Sequence, residues 1–314
     1  MEVFEVIQPG PLTTVQDLGR FGYQQYGVPT SGALDNYAFR IGNLLVGNDE
    51  GAASLEITLF GCQLRALQDT KVAVTGADMA ARINDEPASS WESQPVKSGD
   101  VLSFLRLNSG CRAYLAIAGG IDVTPVMKSA STYTKAGIGG FGGRPLRQGD
   151  IVKARVDAVS AAEARLPVKY IPVYKNQITL RVILGPQDDC FTEKGIYTLF
   201  NSEYIVSAQA DRMGYRLEGP PVQHRDGADI ISDGIPLGAV QVPGDGLPII
   251  LLADRQTTGG YTKIATVISV DIPRIAQAKP GDRVKFQRVT EGQAVALLRK
   301  YEQQMEAIKS NLHA

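Results

Sequence analysis

Two stretches of this chain gather side chains that can move protons and hold anions. The first is Gln241–Tyr261 (QVPGDGLPIILLADRQTTGGY). In it the apolar run Pro248–Leu252 leads into Asp254, Arg255, Gln256, Thr257, Thr258, Gly259, Gly260 and Tyr261. An acid, a cation, an amide and two hydroxyls beside paired glycines suit a ligand with a carboxylate or a polarised carbonyl, and active groups are commonly set on loops at the ends of rigid elements. The same pattern also fits a buried barrel strand followed by an ordinary polar turn. The second stretch is Pro9–Gly32, which has no clear periodicity and carries Gln16, Asp17 and Arg20 close together. Irregular segments of this length inside a compact domain are usually functional; the alternative is that Asp17 and Arg20 pair with each other and pin the loop. Two further candidates are Glu56, and the acid/base cluster DRMGYRLEG at 211–219.

Counts of the metal-binding and nucleophilic residue types narrow the chemistry. There are two histidines, His224 and His313, which excludes a His-rich metal centre and leaves His224 as the one candidate for a Ser-His-Asp triad. Cys62, Cys111 and Cys190 are widely spaced, which argues against a disulfide framework or a zinc site and for a reducing, cytoplasmic compartment. Gly137–Gly142 (GIGGFG) has the spacing of a dinucleotide-binding loop. However, SASTYTKA before it is not an apolar strand and GRPLRQGD after it cannot open a helix, so the glycines serve a bend or a close approach instead. Gly-Lys occurs nowhere, so there is no P-loop. The remaining chemistry falls to carboxylates, arginines, amides, hydroxyls and backbone N–H groups.

The elements that must position these groups are mostly strands. Met1–Gln8 alternates apolar and polar residues, as does Ser54–Phe60, where Glu56 and Thr58 share one face and point to solvent or into a polar cleft. A Gly-Asp pair precedes an alternating strand three times: Gly99-Asp100, Gly149-Asp150 and Gly281-Asp282. This favours β-barrel or sandwich blocks over a doubly wound sheet. Helices are expected over Ser31–Gly47, capped by Ser31, over Cys190–Asn201, after Asp271 with Pro273 in its first turn, and over Thr290–Asn311, opened by a Thr290/Gln293 capping box. The composition shifts at 156–169, a possible boundary between an N-terminal half (1–155) and a C-terminal half (170–314).

Composition sets the class. The chain has 314 residues, 44% hydrophobic and 21% charged, with a formal charge of −1, values typical of a soluble globular protein. That charge gives no reason to expect nucleic acid or an anionic membrane as partner. No apolar run reaches the ~18 residues of a membrane span, and MEVFEVIQPG lacks the basic and apolar regions of a signal peptide.

Taken in order, these blocks resemble the KipA / PxpC family, the C-subunits of 5-oxoprolinase. It is also known as the biotin-dependent carboxyltransferase or allophanate hydrolase subunit 2 family, and is similar to the carboxyltransferase of urea carboxylase. The matching segments are TTVQDLGRFG (13–22), GALDNYAFRIGNLLVGN (32–48), LEITLFG (55–61), AGGID (118–122), SASTY with GGFGGR (129–144), DRMGYRLEG (211–219), GAVQVPGDGLPIILLADRQTTGGYTKIATVI (238–268) and AQAKPGDRVKF (276–286). Ala130 stands where related sequences often carry a basic residue.

The resemblance implies a mainly β fold with some α, built on cyclophilin-like β-barrel structure in two packed halves. It implies a KipI/PxpB-like and a PxpA-like partner, and an ATP-dependent 5-oxoprolinase that opens 5-oxoproline to glutamate. It also leaves open a non-catalytic antagonist of a KipI-like kinase inhibitor, or the carboxyltransferase component of a urea-carboxylase-like enzyme. The chain has no biotin-accepting lysine flanked by methionines and no visible ATP motif, so ATP is expected to enter at the level of the complex. On this reading Asp17, Asp254 and Glu56 are candidate bases, with Arg20 a donor. Gln16, Gln241, Arg255, Gln256, Thr257, Thr258, Gly259, Gly260 and Tyr261 are expected to hold substrate or anion, and the Gln241–Tyr261 segment is expected to face Gln16–Arg20.

Overall fold

The computed structural model describes residues 1–155 and 163–312. His313 and residues 156–162 of the expected boundary lie outside the described residues. Two β-rich units are present. The first comprises Met1–Arg20, Ser31–Tyr174 and the end of the chain from Ala307; the second comprises Phe21–Thr30 and Lys175–Glu306.

In the first unit the strands are β1 (Glu2–Pro9), β2 (Leu12–Gln16), β3 (Ser54–Thr58), β4 (Cys62–Ala66), β5 (Thr70–Asp78), β6 (Ala81–Ile83), β7 (Glu86–Pro87), β8 (Ser93–Val96), β9 (Val101–Phe104), β10 (Ser109–Ile117) and β11 (Ile151–Lys153). They form a six-stranded sheet, β11-β1-β4-β9-β6-β7, and a five-stranded sheet, β2-β3-β10-β5-β8. Phe4, Val6, Leu64, Leu102 and Phe104 from the first sheet share one core with Leu55, Ile57, Val74, Leu115 and Ile117 from the second. Helix α1 (Asn36–Leu45) packs on β5 and β10, so β10 is buried along both faces and reads as a nearly unbroken apolar run.

The cap of α1 is Asp35, whose Oδ1 accepts the Ala38 N–H at 3.0 Å, and not the expected Ser31. Ser31 has a left-handed backbone (φ 52°), which a helix cannot continue, and sits outside the first turn. Glu56 is neither solvated nor in an open cleft. It is 1% exposed in the middle of β3, where Oε2 accepts the Tyr114 hydroxyl at 2.7 Å and the Leu34 N–H at 3.0 Å. Its Oε1 lies 3.8 Å from Arg112 Nε, and the Tyr114 oxygen in turn accepts the Asp35 N–H at 2.8 Å. This network joins the cap of α1 to the centre of the sheet. Burial, and then the Glu56 and Asp35 carboxylates, hold the Tyr114 hydroxyl well above its usual pKa, so it stays a donor.

The second unit is a closed barrel. Its strands are β12 (Gln177–Leu184), β13 (Tyr204–Ala210), β14 (Gly214–Glu218), β15 (Asp229–Gly234), β16 (Ala239–Gln241), β17 (Ile249–Leu251), β18 (Thr258–Tyr261), β19 (Lys263–Val267) and β20 (Arg283–Arg288). Seven of them close in the order β12-β19-β16-β17-β14-β13-β20. The ring is sealed by a parallel pairing of β12 with β20, from Gln177 opposite Arg283 to Val182 opposite Arg288. β15 and β18 stand apart as a two-stranded ribbon. The helices are α2 (Glu193–Asn201), α3 (Ile272–Ala276) and α4 (Glu291–Leu312). The capping box of α4 forms as expected: Gln293 Oε1 accepts the Thr290 N–H at 2.9 Å and Thr290 Oγ1 accepts the Gln293 N–H at 3.2 Å.

The three Gly-Asp pairs make one and the same turn. Each aspartate accepts, through its carboxylate, the N–H of a basic residue three positions earlier: Lys97, Arg147 or Lys279. Each glycine has φ between 83° and 91°, which favours glycine at that position. Each glycine donates its N–H to a carbonyl on a neighbouring strand, at Ala66, Val6 or Val206. The same three residues donate their N–H groups back to the carbonyls of Asp100, Asp150 and Asp282. One local device therefore launches β9, β11 and β20.

Replacing Tyr114 with Phe removes the donor to Glu56 and the acceptor for Asp35 N–H while keeping the ring. Each unmade buried hydrogen bond costs about 1–3 kcal/mol, so the Y114F midpoint in urea should fall by an amount equivalent to about 2–4 kcal/mol at an unchanged m-value.

Candidate functional site

Each unit contains one of the two clusters read from the sequence. In the first, β2 ends at Gln16 and the chain turns through Gly19 (φ 112°) to Arg20. The Asp17 carboxylate is saturated with donors: Oδ1 accepts from Gly19 N at 2.8 Å, Ser129 Oγ at 2.7 Å and Ser131 Oγ at 2.5 Å, and Oδ2 accepts from Ala130 N at 2.6 Å. Arg20, fully buried, donates from Nε to the Val126 carbonyl at 3.0 Å and from Nη2 to the Ser131 carbonyl at 2.8 Å. Both charges therefore fasten the 126–131 segment. Met127 and Lys128 there have left-handed backbones (φ 52° and 63°), an arrangement that such fastening sustains.

The glycine-rich loop closes on the same place. A Cβ on Gly139 would lie 2.1 Å from the Ser131 carbonyl oxygen, and one on Gly140 would lie 1.9 Å from Thr132 Oγ1. Gly139 and Gly140 serve close approach, as the sequence implies, and with Gly137 and Gly142 they also line a cavity of about 520 Å³. Gln16 is fully buried, donates to Thr14 Oγ1 and the Thr132 carbonyl, and has a carbonyl oxygen that accepts nothing.

In the second unit, the turn that follows β17 carries Asp254 and Arg255. Asp254 is 5% exposed and forms a two-pronged ion pair with Arg212, Oδ2 to Nε at 3.0 Å and Oδ1 to Nη2 at 3.3 Å. The main chains are also joined, Asp254 N–H to the Arg212 carbonyl at 2.9 Å. Arg255 differs. Its guanidinium is 4% exposed and donates to two carbonyls, Ile235 at 2.9 Å and Leu252 at 3.2 Å. Burial pushes its pKa down to about 10. A cation desolvated in this way is electrostatically prepared for an anion.

Gln241, at the end of β16, is buried and directs Nε2 to the Tyr261 carbonyl at 3.4 Å. Gln241, Gln256, Gly259, Gly260 and Tyr261 line a cavity of about 380 Å³, which Asp211 and Arg216 also edge. That volume falls in the range of small-molecule sites. A Cβ on Gly259 would sit 2.7 Å from Ile235 Cδ1 and 3.2 Å from Gln241 Nε2, so those two side-chain ends would have to shift to admit one.

The structure thus gathers Gln241, Gln256, Gly259, Gly260 and Tyr261 around one cavity, with Asp254 and Arg255 buried in the turn after β17, Thr257 just before β18 and Thr258 its first residue. Gln16, Asp17, Arg20 and Glu56 belong to the first unit. Sequence reasoning singled out the DRMGYRLEG cluster that holds Arg212 but not its pairing with Asp254. It also missed Lys263, 1% exposed, whose signal was a lone charge opening the apolar run KIATVI. His224 has Nε2 3.0 Å from the Val242 carbonyl and 3.1 Å from Thr262 Oγ1, and stacks on Phe191 with centroids 4.7 Å apart. Among the described residues, no group of three His, Cys, Asp or Glu side chains could hold a metal ion, and no helix is long and apolar enough to cross a membrane.

A family model, carboxyltransferase domain, subdomain A and B, matches residues 26–288. The chain belongs to this family. It is 40% identical to the 5-oxoprolinase C-subunit of Escherichia coli K12, with 99% of each chain covered, and 35% identical to that of Haemophilus influenzae, with 98% of each covered. Among solved structures, the Kluyveromyces lactis urea amidolyase superposes with a TM-score of 0.91 at 33% identity, covering 98% of this chain. This chain spans 20% of that much longer protein. The mainly β fold with a closed barrel agrees with these neighbours.

Arg255→Lys keeps a charge but loses the planar fork that reaches both carbonyls. The variant should fold, with a thermal midpoint within a few degrees of the parent, while ligand-dependent activity in its assembled enzyme falls at least tenfold.

Proposed function

We propose that this chain is the C-subunit of a multi-component, ATP-dependent 5-oxoprolinase and takes part in opening 5-oxoproline to glutamate. The observation that carries this reading is the end-to-end match to two proteins named as that 5-oxoprolinase component, where the urea amidolyase match accounts for only a fifth of that protein. ATP reaches the reaction at the level of the complex, in keeping with KipI/PxpB-like and PxpA-like partners in the cytoplasm. Biotin, if a related carboxyl transfer is run, is likewise carried elsewhere.

The cavity of about 380 Å³ is the substrate site in this reading. The lactam is flat, carries a carboxylate and has one amide to be activated. The Gln241 amide and the N–H groups of Gly259 and Gly260 orient it, with Gln256, Thr257, Thr258 and Tyr261 at the margin. Arg255 supplies positive charge toward the oxygen on which negative charge develops. Asp254, held in place by Arg212, is the base for the attacking water. Asp17, Arg20 and Glu56 act through the segments they hold. A second reading, transfer of a carboxyl group to a small acceptor, rests on the family match and uses the same groups, with Asp254 taking the proton from an acceptor nitrogen.

Reconstitution with the partner proteins, 5-oxoproline and ATP should yield glutamate and ADP together. Asp254→Asn and Gln241→Ala should each lower that turnover by about 10²-fold without preventing assembly; activity within a few-fold of the parent removes them from the mechanism. Stable assembly with no turnover would favour a scaffold that binds a KipI-like protein.

A further inference from the structure

Beside the cavity lies a buried ammonium with an unusual counter-ion. Lys263 opens β19 directly opposite Gln241 on β16, and opposed residues on neighbouring strands project from one face. It is 1% exposed, and Nζ has no hydrogen-bond acceptor. The nearest charge is Asp233 Oδ2 at 3.3 Å, close enough to compensate the ammonium but not aligned to accept from it. Asp233 is on the β15/β18 ribbon, opposite Gly259, and its side chain is 56% exposed. Its Oδ1 accepts the Gly234 N–H at 2.7 Å. That bond, then the Lys263 ammonium, hold its carboxyl below the usual range. Gln187 adjoins the pair and accepts the Lys263 backbone N–H at 3.2 Å.

The two members of this pair stand in different solvents. Asp233 can leave Lys263 and be fully hydrated at little cost. Lys263 cannot be left alone, because a buried ammonium without an anion is heavily penalised. The stable exchange is one anion for another. Gln241 and Gly259, the cross-strand neighbours of Lys263 and Asp233, both line the cavity, so an incoming carboxylate arrives next to the pair.

We propose that Lys263 is an anion-binding residue of the cavity, held in reserve by Asp233, and that the carboxylate of a small ligand displaces Asp233 and takes its place on Nζ. The β15/β18 ribbon then moves with Asp233, so occupancy of the site is coupled to the position of β18. For 5-oxoproline as ligand the inference rests on the function proposed above; as a carboxylate site it stands separately.

The test is titration of the full chain, followed by ligand-observed NMR, with three probes: 5-oxoproline, 2-pyrrolidinone (the same ring without the carboxylate) and acetate. Lys263→Met should weaken 5-oxoproline at least about tenfold, as for a lost charge-assisted hydrogen bond, and leave 2-pyrrolidinone unchanged. Asp233→Asn, which keeps the acceptor for Gly234 N–H, should tighten both carboxylates several-fold by removing the internal competitor. This second variant decides the matter if Lys263→Met does not fold. Parent-like carboxylate binding by Lys263→Met, equal losses for the ring with and without its carboxylate, weaker binding by Asp233→Asn, or no carboxylate binding by the parent would each overturn the proposal. Acetate binding with the same dependence on both residues, but none of 5-oxoproline, would keep the anion site and overturn 5-oxoproline as its ligand, leaving the 5-oxoprolinase reading to the reconstitution.

Discussion

The ion pair between Arg212 and Asp254 is the contact on which the candidate site depends. It ties the turn before β14 to the end of β17, and the chain reinforces it with the Asp254 N–H to Arg212 carbonyl bond and the neighbouring Leu252 N–H to Met213 carbonyl bond at 2.9 Å. Taking either member away would leave a charge stranded out of water, and such losses are among the largest that single substitutions cause. With Asp254 fixed, the next residue is forced inward. Arg255 then directs its donors to the Ile235 and Leu252 carbonyls, and the turn that carries β18 has a fixed starting point.

Charge in this protein is handled in two ways. In the first unit, Asp17 and Glu56 are surrounded by donors from hydroxyls and backbone N–H groups, which gives order to the loop at 126–131 and to the start of α1. In the second, Arg255 and Lys263 are buried with less compensation than their charge demands. Satisfied charges build the frame; the under-compensated ones sit next to residues that line the cavity, Arg255 before Gln256 and Lys263 opposite Gln241. Such a division is expected when binding energy is to come from the ligand.

Much of the fold was legible in the sequence because it is written locally. The Gly-Asp pairs announced three strand starts and the Thr290/Gln293 box announced α4. The cap of α1 was misread because Ser31 and Asp35 are both good caps, and only the backbone at Ser31 decides between them. The surroundings of Glu56 were hidden for another reason. Alternation along β3 says which face a side chain takes, but that face is covered by α1, which is set by tertiary packing. The pairing of Arg212 and the role of Lys263 were missed because each acquires its meaning from a residue distant in sequence: 42 positions away for Asp254 and on another strand for Asp233.

The parallel seam between β12 and β20 has a consequence for the order of events during synthesis. Gln177, at the start of the first barrel strand, finds its partner only when Arg283 has been made, 283 − 177 = 106 residues later. Until then the emerging second unit is an open sheet, with the edges of β12 and β13 bare. Long-range closure of this kind is slow, and unpaired edges invite association between nascent chains. A ribosome that stalls anywhere between these two strands therefore holds out an unsealed sheet, however stable the finished barrel is.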